Sequence, residues 1–547
     1  MANIDQLNQH MASPTAANFV PLSPLSFIKR TAQVFGDQTA TIYNGQQQSW
    51  RQIYQRCCAF SDAVRRNGVE KGHVVSVLAF NTPEMIELQF SVAMAGGVLN
   101  TINTRLDPET IAGILDHAEP NTLVFDAELG DVLVDVLSRC THQPAHLVVI
   151  SSPGLDLSDQ LTDVIDYEDF VEMGDPAAAW SLPTSEWDAF GLNYTSGTGG
   201  RPKGVVISHR GACLMAMGTV PAWNVPMHPT YLYTVPLFHC NGWGHAWMNA
   251  LVAGTIICLK KIEAATIFDV ISKYRVTHFG GAPVVLSLLV NAPSEHKKQF
   301  DHPVHVMTAG APPPPAILEQ TEQLGLEVMQ VYGLTETYGH IMHCAWNPSW
   351  DALGFTERAE IKARQGVQFT HTEEVEVVDL ERGDPVPWDG RSEGEIVIRS
   401  NTVMKGYHKD PIATEEAFKG GFFRSGDLAV RHPDGYIEIK DRLKDVIISG
   451  GENISSVEVE NILYRIPGVA CAAVVAKVDD KWGEVPVGFV ELSHDAKPIN
   501  EAEVIQFCRQ HLAGFKTPKQ IIFGEIPKTS TGKVQKFVLR RELKLNS

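Results

Sequence analysis

Apolar and polar positions alternate along this chain in two periods. Over 50–67, Ile53, Cys57, Phe60 and Val64 recur every three to four positions, which predicts a helix ended by Gly68. A continuous apolar run over 73–80 predicts a buried strand. Thr82-Pro83 then caps the next helix, which carries Met85, Leu88 and Ala95 and has proline at its first helical position. Apolar runs at 122–125 and 147–150 predict further strands with a helix between them. Strands separated by helices imply a mostly parallel sheet covered on both faces. The pattern returns at 255–259, 277–280 and 305–308, again with helical segments between the runs.

From about residue 370 the period shortens. Segments 373–379 and 394–399 read as alternating strands without intervening helices, which predicts a β-subdomain over about 370–441. Asp441-Arg442-Leu443-Lys444-Asp445 is a charge-dense break. Beyond it a helix at 457–464, strands at 471–478 and 485–492 and a helix at 501–511 form a compact α+β unit. A chain of 547 residues exceeds what one hydrophobic core sustains. The expected division is a large α/β domain over 1–441 and a small, mobile α+β domain over 442–547.

Composition narrows the class. Hydrophobic content of 44% and charged content of 20% are those of a soluble globular protein. No apolar stretch approaches the ~20 residues needed to span a bilayer. The polar start, an end (Leu545-Asn546-Ser547) that is no targeting tag, and nine scattered cysteines without a Cys-x-x-Cys pair suggest a reducing cytoplasm. A net charge of −19 argues against nucleic acid as a partner. Anionic ligands would then need locally concentrated positive charge, which Lys203, Arg442, Lys444 and Lys533 offer.

The densest candidate chemistry is Tyr194-Thr195-Ser196-Gly197-Thr198-Gly199-Gly200-Arg201-Pro202-Lys203-Gly204. Apolar segments 190–194 and 205–207 predict a strand entering and a strand leaving this loop. Glycines let the backbone wrap an anion, the hydroxyls of Thr195, Ser196 and Thr198 can donate to phosphate oxygens, and Lys203 adds charge. The loop is no P-loop, because Gly204 follows Lys203 and no Ser or Thr comes next. Nor is it a dinucleotide fingerprint, because Pro202 stands where the third glycine belongs.

Four more motifs follow in order: Tyr332-Gly333-Leu334-Thr335-Glu336-Thr337; Gly421-Phe422-Phe423-Arg424-Ser425-Gly426-Asp427; Asp441 to Asp445 leading to Gly450-Gly451-Glu452-Asn453; and Pro527-Lys528-Thr529-Ser530-Thr531-Gly532-Lys533. With the glycine loop they resemble, in order and spacing over nearly the whole chain, the adenylate-forming superfamily of acyl-CoA synthetases, luciferases and adenylation domains.

The resemblance implies roles. The loop from Thr195 to Lys203 would hold the β- and γ-phosphates of ATP, with Gly199 standing where many relatives have threonine. Tyr332, followed by Gly333, would stack on adenine near Gly310-Ala311-Pro312. Thr335 would contact the α-phosphate and Glu336 would help bind Mg²⁺, a hard cation suited to oxygen ligands. Asp427, helped by Arg442, would grip the ribose. Lys444 would be the hinge between domains. Lys533 would be the catalytic lysine of adenylation, joined by Glu336, Thr335 and His239. Relatives then rotate the small domain, which would bring Gly450, Gly451 and Glu452 over the site to meet coenzyme A.

The segment from Pro236 to Trp247 occupies the place where relatives line the acyl pocket, for which His239, Trp243, Gly281 and Gly310 are the candidates. No carboxylate occurs over 231–259, so nothing there could pair with the ammonium of an amino acid, and an unpaired buried ammonium is expensive. An indole at Trp243 facing the pocket would favour short or medium acyl chains. The same segment resembles that of methylmercaptopropionate-CoA ligases and plant acyl-activating enzymes. The expected activity is thus ATP-dependent ligation of a small carboxylic acid to coenzyme A, with release of AMP and pyrophosphate. A stand-alone enzyme loading a carrier protein, and a nucleotide-binding scaffold, are the alternatives; a homodimer is left open.

Overall fold

The computed structural model describes residues 15–545 except 156, 158–159, 196–201, 312, 480, 494–495 and 530–532. Two mostly parallel sheets dominate. In the nine-stranded sheet, Thr39–Tyr43, Thr255–Cys258, Thr230–Tyr233, His278–Gly281, Val304–Thr308 and Leu326–Leu334 run parallel as successive neighbours. Antiparallel strands flank them at both edges. In the eight-stranded sheet, Ala189–Thr195, Val98–Thr101, Val74–Leu78, Thr122–Asp126, His146–Ile150 and Val164–Asp166 are parallel neighbours. Helices cover these sheets, as helices between strands require.

Local sequence explains some of the helix starts, whereas others carry no side-chain cap. Trp50–Arg66 begins on a capping box in which Ser49 Oγ accepts from Gln52 N and Gln52 Oε1 accepts from Ser49 N. Pro83–Met94 has proline in its first turn, but Thr82 does not cap it: its hydroxyl is buried without a partner. Burial holds this helix instead, since nearly all of its residues lie in the core.

The expected hairpin forms. Ala189–Thr195 and Lys203–Ser208 pair antiparallel, with Thr195 opposite Lys203 at the mouth of the loop. The candidate residues Ser196, Gly197, Thr198, Gly199 and Pro312 lie outside the described residues. The β-subdomain is a four-stranded antiparallel sheet of Thr372–Val378, Glu393–Ser400, Phe423–Arg431 and Ile437–Arg442. Between its second and third strands lies a helix that the sequence reading did not place, Pro411–Ala417, started by Asp410 Oδ1 accepting from Ala413 N. Just before it, Gly406–Tyr407 leaves the subdomain to pair with Lys203–Ser208.

The last unit is a five-stranded sheet with its own apolar core, including Ile447, Leu463, Val474, Val490 and Val504. Its strands Ile447–Ser449, Glu452–Ile454 and Gln520–Phe523 and its helix Lys536–Leu545 have no counterpart in the sequence reading. Asp441, at the end of the β-subdomain, joins the two parts. Its Oδ2 accepts from the backbone and hydroxyl of Ser456, at 2.6 and 2.7 Å, on the first helix of this unit.

Candidate active site

The strand register brings two motif residues face to face. Asp427 and Arg442 are cross-strand partners, and Arg442 Nε stands 2.7 Å from Asp427 Oδ1. The Tyr332 hydroxyl donates to the other carboxylate oxygen at 2.5 Å. Burial pushes the Asp427 carboxyl up from the usual carboxylate range, while Arg442 and then Tyr332 pull it back.

Lys533 reaches this group from the small domain. It is anchored across its turn, with its N–H donating to Thr529 Oγ1 and its carbonyl accepting from Thr529 N. Lys533 is exposed to solvent, with protein and other charges crowded around it. Burial and then Arg442 lower its ammonium to about 8, with Asp427 opposing and Lys444 adding to the fall. His239 feels the same lysine: burial first, and Lys533 second, push its imidazole down to about 4, so it is neutral at physiological pH. His239, Asp427, Arg442 and Lys533 therefore share one electrostatic neighbourhood.

Glu336 and Lys203 meet at Tyr407, a residue that the sequence reading missed. The Tyr407 hydroxyl donates to Glu336 Oε1 at 2.9 Å, and Lys203 Nζ lies 4.6 Å from the centre of the same ring. The short strand Gly406–Tyr407, paired with the strand that begins at Lys203, makes the meeting possible. Its signal in the sequence was a two-residue strand, below what periodicity resolves. Glu336 opens no multi-carboxylate cage: among the described residues no cluster of three His, Cys, Asp or Glu could hold a metal. One carboxylate shared with substrate phosphates is a donor set that fits Mg²⁺. Gly333 is needed for the hairpin that carries Thr335 and Glu336, because a β-carbon there would stand 1.7 Å from the Gly339 carbonyl oxygen.

Two of the acyl-pocket candidates, His239 and Trp243, stand at an unusual backbone turn. Cys240, Asn241, Gly242, Trp243 and Gly244 all have positive φ, between 41° and 72°. Left-handed backbone costs roughly 1–2 kcal/mol for each ordinary residue and less for asparagine, so this turn is strained and must be held. Cys240 Sγ donates to Thr335 Oγ1 at 3.3 Å, and the Tyr233 hydroxyl donates to the Gly242 carbonyl at 2.7 Å. Asn193 Nδ2 donates to Asn241 Oδ1 at 2.8 Å. At Gly242 glycine is doubly required, since a β-carbon would lie 2.3 Å from the Tyr233 hydroxyl.

The Trp243 indole lies edge-on to the imidazoles of His245 and His340. Those two rings approach at 3.4 Å through their Nε2 atoms, and His245 is held from the other side by the Tyr231 hydroxyl at 2.6 Å. The glycine under the indole is Gly280, where a β-carbon would meet Trp243 Cζ3 at 3.1 Å. At Gly281, the residue singled out in the sequence, a β-carbon would instead meet Val285. Gly310 has φ 97° with open space around it, beside Ala311. Trp247 is a core residue, fully buried and bonded to the Tyr338 hydroxyl at 3.0 Å.

The coenzyme A candidates stand apart from this cluster. Gly450 and Gly451 form a hairpin turn under the Trp482 ring, followed by Glu452 on the returning strand. Among the described residues no hydrogen bond or ion pair joins that hairpin to His239, Asp427 or Arg442. Lys444 is exposed in the turn between the β-subdomain and the last sheet.

Known proteins carry the same plan. Residues 28–408 match the family model of the AMP-binding enzyme, and residues 458–533 that of the AMP-binding enzyme C-terminal domain. An acetate–CoA ligase of Humulus lupulus is 46% identical over 544 residues, 97% of this chain and 96% of the relative. A peroxisomal acetate/butyrate–CoA ligase of Arabidopsis thaliana is 45% identical over 543 residues, 96% of this chain and 95% of its own. The crystal structure of ATP-bound MatB from Rhodopseudomonas palustris superposes with a TM-score of 0.80 at 25% identity, covering 95% of this chain and 99% of that one. The anthranilate CoA ligase AuaEII, in complex with anthranoyl-AMP, shares the fold with a TM-score of 0.84 at 22% identity, over 97% of this chain and 99% of its own. Matched in both of its parts and along nearly its whole length, the chain belongs to the AMP-binding enzyme family, among relatives that are CoA ligases.

Proposed function

We propose that this protein is an ATP-dependent acid–CoA ligase for short-chain carboxylic acids, acting through an acyl-adenylate. The observation that carries the reading is the convergence of His239, Lys533, Asp427 and Arg442 in one charged neighbourhood, with His239 directly before the turn that presents Trp243.

A carboxylate is a poor acylating agent because its oxygen leaves badly. In the first half-reaction the acid oxygen attacks the α-phosphorus of ATP, the bond to the bridging oxygen breaks, and pyrophosphate departs. Asp427 and Arg442 hold the ribose, and Tyr332, tied to Asp427, lies against the base. Thr335 donates to the α-phosphate, while the loop from Thr195 to Lys203 orients the outer phosphates. Lys533 supplies positive charge where negative charge gathers on the bridging oxygen. Glu336 would hold Mg²⁺, which would neutralise phosphate charge. In the second half-reaction the thiolate sulfur of coenzyme A attacks the anhydride carbonyl and AMP leaves. Neutral His239, too weak a base to take the thiol proton, can orient the acyl carbonyl without adding charge. Lys444 is the hinge on which the small domain turns, and Gly450, Gly451 and Glu452 meet the pantetheine arm.

The preference for short chains rests on Trp243. Its indole is confined by Gly280, His245 and His340, so it forms a rigid floor, and acetate to butyrate fit above it better than longer acids. An acid panel from two to twelve carbons, assayed for coenzyme A-dependent AMP release, tests this. A maximum at two to four carbons is expected; a maximum at eight or more would contradict it. Replacing coenzyme A by a carrier protein in the same assay identifies the acceptor.

A further inference from the structure

The left-handed turn from Cys240 to Gly244 is anchored at three places, and each anchor lies on a different element. Tyr233, which bonds the Gly242 carbonyl, belongs to the nine-stranded sheet. Thr335, which accepts from Cys240, follows the strand Leu326–Leu334. Asn193, which bonds Asn241, belongs to the eight-stranded sheet and stands two residues before Thr195, where the phosphate loop begins. The turn is therefore a joint between the sheet that carries the nucleotide loop and the sheet that carries the acyl pocket.

Within this joint the Asn193–Asn241 contact is a bridge between two buried side chains. Asn241 is fully buried and Asn193 is 2% exposed. Among the described residues the Asn241 amide nitrogen has no partner, so its oxygen, bonded to Asn193, carries the side chain's polar interaction. Asn193 is held in turn by Thr101, whose hydroxyl lies 3.3 Å from Asn193 Oδ1 and 3.0 Å from the Phe238 carbonyl. Strand Ala189–Thr195 has ladder neighbours on both sides, Val98–Thr101 and Lys203–Ser208. It cannot shift easily, whereas a strained turn can relax. Asparagine also tolerates left-handed backbone, so residue 241 meets both the conformational and the tethering demand.

We infer that Asn193 and Asn241 form a positioning pair that fixes the turn presenting His239 and Trp243, and so sets acid selectivity. This rests on the reading of Trp243 as the pocket floor. When the bridge is lost the turn loosens, the indole is no longer held at one height, and acids of different length are bound less discriminately.

The test is a double-mutant cycle with Asn193→Ala, Asn241→Gly and the double variant, assayed with ATP, coenzyme A and acetate, butyrate, hexanoate or octanoate. Asn241→Gly permits the left-handed backbone and removes only the tether, so it serves should Asn193→Ala fail to fold. Each single variant should raise KM for butyrate about tenfold and flatten the length preference, with KM for ATP changed less than about twofold. The double variant should stay near tenfold, because contacts that act through one bridge are not additive. An additive loss of about a hundredfold, or a uniform fall in kcat with an unchanged length profile, would overturn the inference. Trp243→Ala in the same panel separates the two claims. If it leaves the profile unchanged, the floor reading and this inference both fall; if it shifts the profile and the bridge variants do not, the bridge alone is wrong.

Discussion

Arg442 Nε stands 2.7 Å from Asp427 Oδ1, and only one of the two is well covered: the Asp427 side chain is 3% exposed and that of Arg442 29%. Arg442→Leu strands a buried carboxylate. It should cost on the order of 3 kcal/mol of stability, lower the thermal midpoint, and raise KM for ATP more than KM for the acid. Saturating ATP should recover part of that lost stability, since a ligand that binds only the folded state stabilises it. A variant with unchanged melting and unchanged KM for ATP would remove Asp427 and Arg442 from the nucleotide site.

Lys533→Ala separates the half-reactions. Loss of one preorganised donor costs roughly 10²–10³ in rate, so acid-dependent ATP–pyrophosphate exchange should fall by that factor. Thioester formation from supplied acyl-adenylate should change less than about threefold. Equal losses in both assays would show that the lysine is not specific to the first step.

Gly280 offers an independent check on the pocket floor. A β-carbon there would lie 2.8 Å from Val235 Cγ2 and 3.1 Å from Trp243 Cζ3. Gly280→Ala must therefore push the indole or the valine, at a cost of typically 1–3 kcal/mol. Turnover of hexanoate should fall more than that of acetate. Trp243→Ala should act in the opposite sense, moving the optimum to longer acids at about 0.8 kcal/mol per added methylene. Identical losses across the acid series in both variants would make these core residues only.

The buried histidines set the acid limit of stability. Burial holds His209, His239, His278 and His371 at about 4 and His245 at about 3. Unfolded imidazoles take up protons near 6.5, so between pH 6.5 and 4 the unfolded state binds more protons than the folded one. Stability should be full above 6.5 and fall as pH drops, by up to about 1.4 kcal/mol per pH unit for each histidine. Urea midpoints between pH 7.5 and 4.5 measure this. His245→Gln should make the decline shallower, and a flat profile would contradict the buried, neutral assignment.

Strands and hairpins at the site were legible because their signal is local. The apolar runs either side of the glycine loop gave the hairpin that places Thr195 opposite Lys203. The family resemblance, not the local pattern, brought Asp427 and Arg442 together in expectation before the register paired them. The turn from Cys240 to Gly244 was not legible, because cysteine and tryptophan carry no preference for positive φ. Tertiary anchors at Asn193, Tyr233 and Thr335 impose it from elements distant in sequence. Tyr407 was hidden for a related reason: its partner Glu336 lies 71 residues away, and its strand is two residues long. The choice between Gly280 and Gly281 turned on which face of one strand meets the indole, which a one-residue register decides.

The most direct test of the account is the nucleotide product formed from ATP with butyrate and coenzyme A. One AMP and one pyrophosphate should appear for each butyryl-CoA, and omitting coenzyme A should leave acid-dependent ATP–pyrophosphate exchange intact. ADP and phosphate in their place, or exchange that persists without acid, would contradict an acyl-adenylate route.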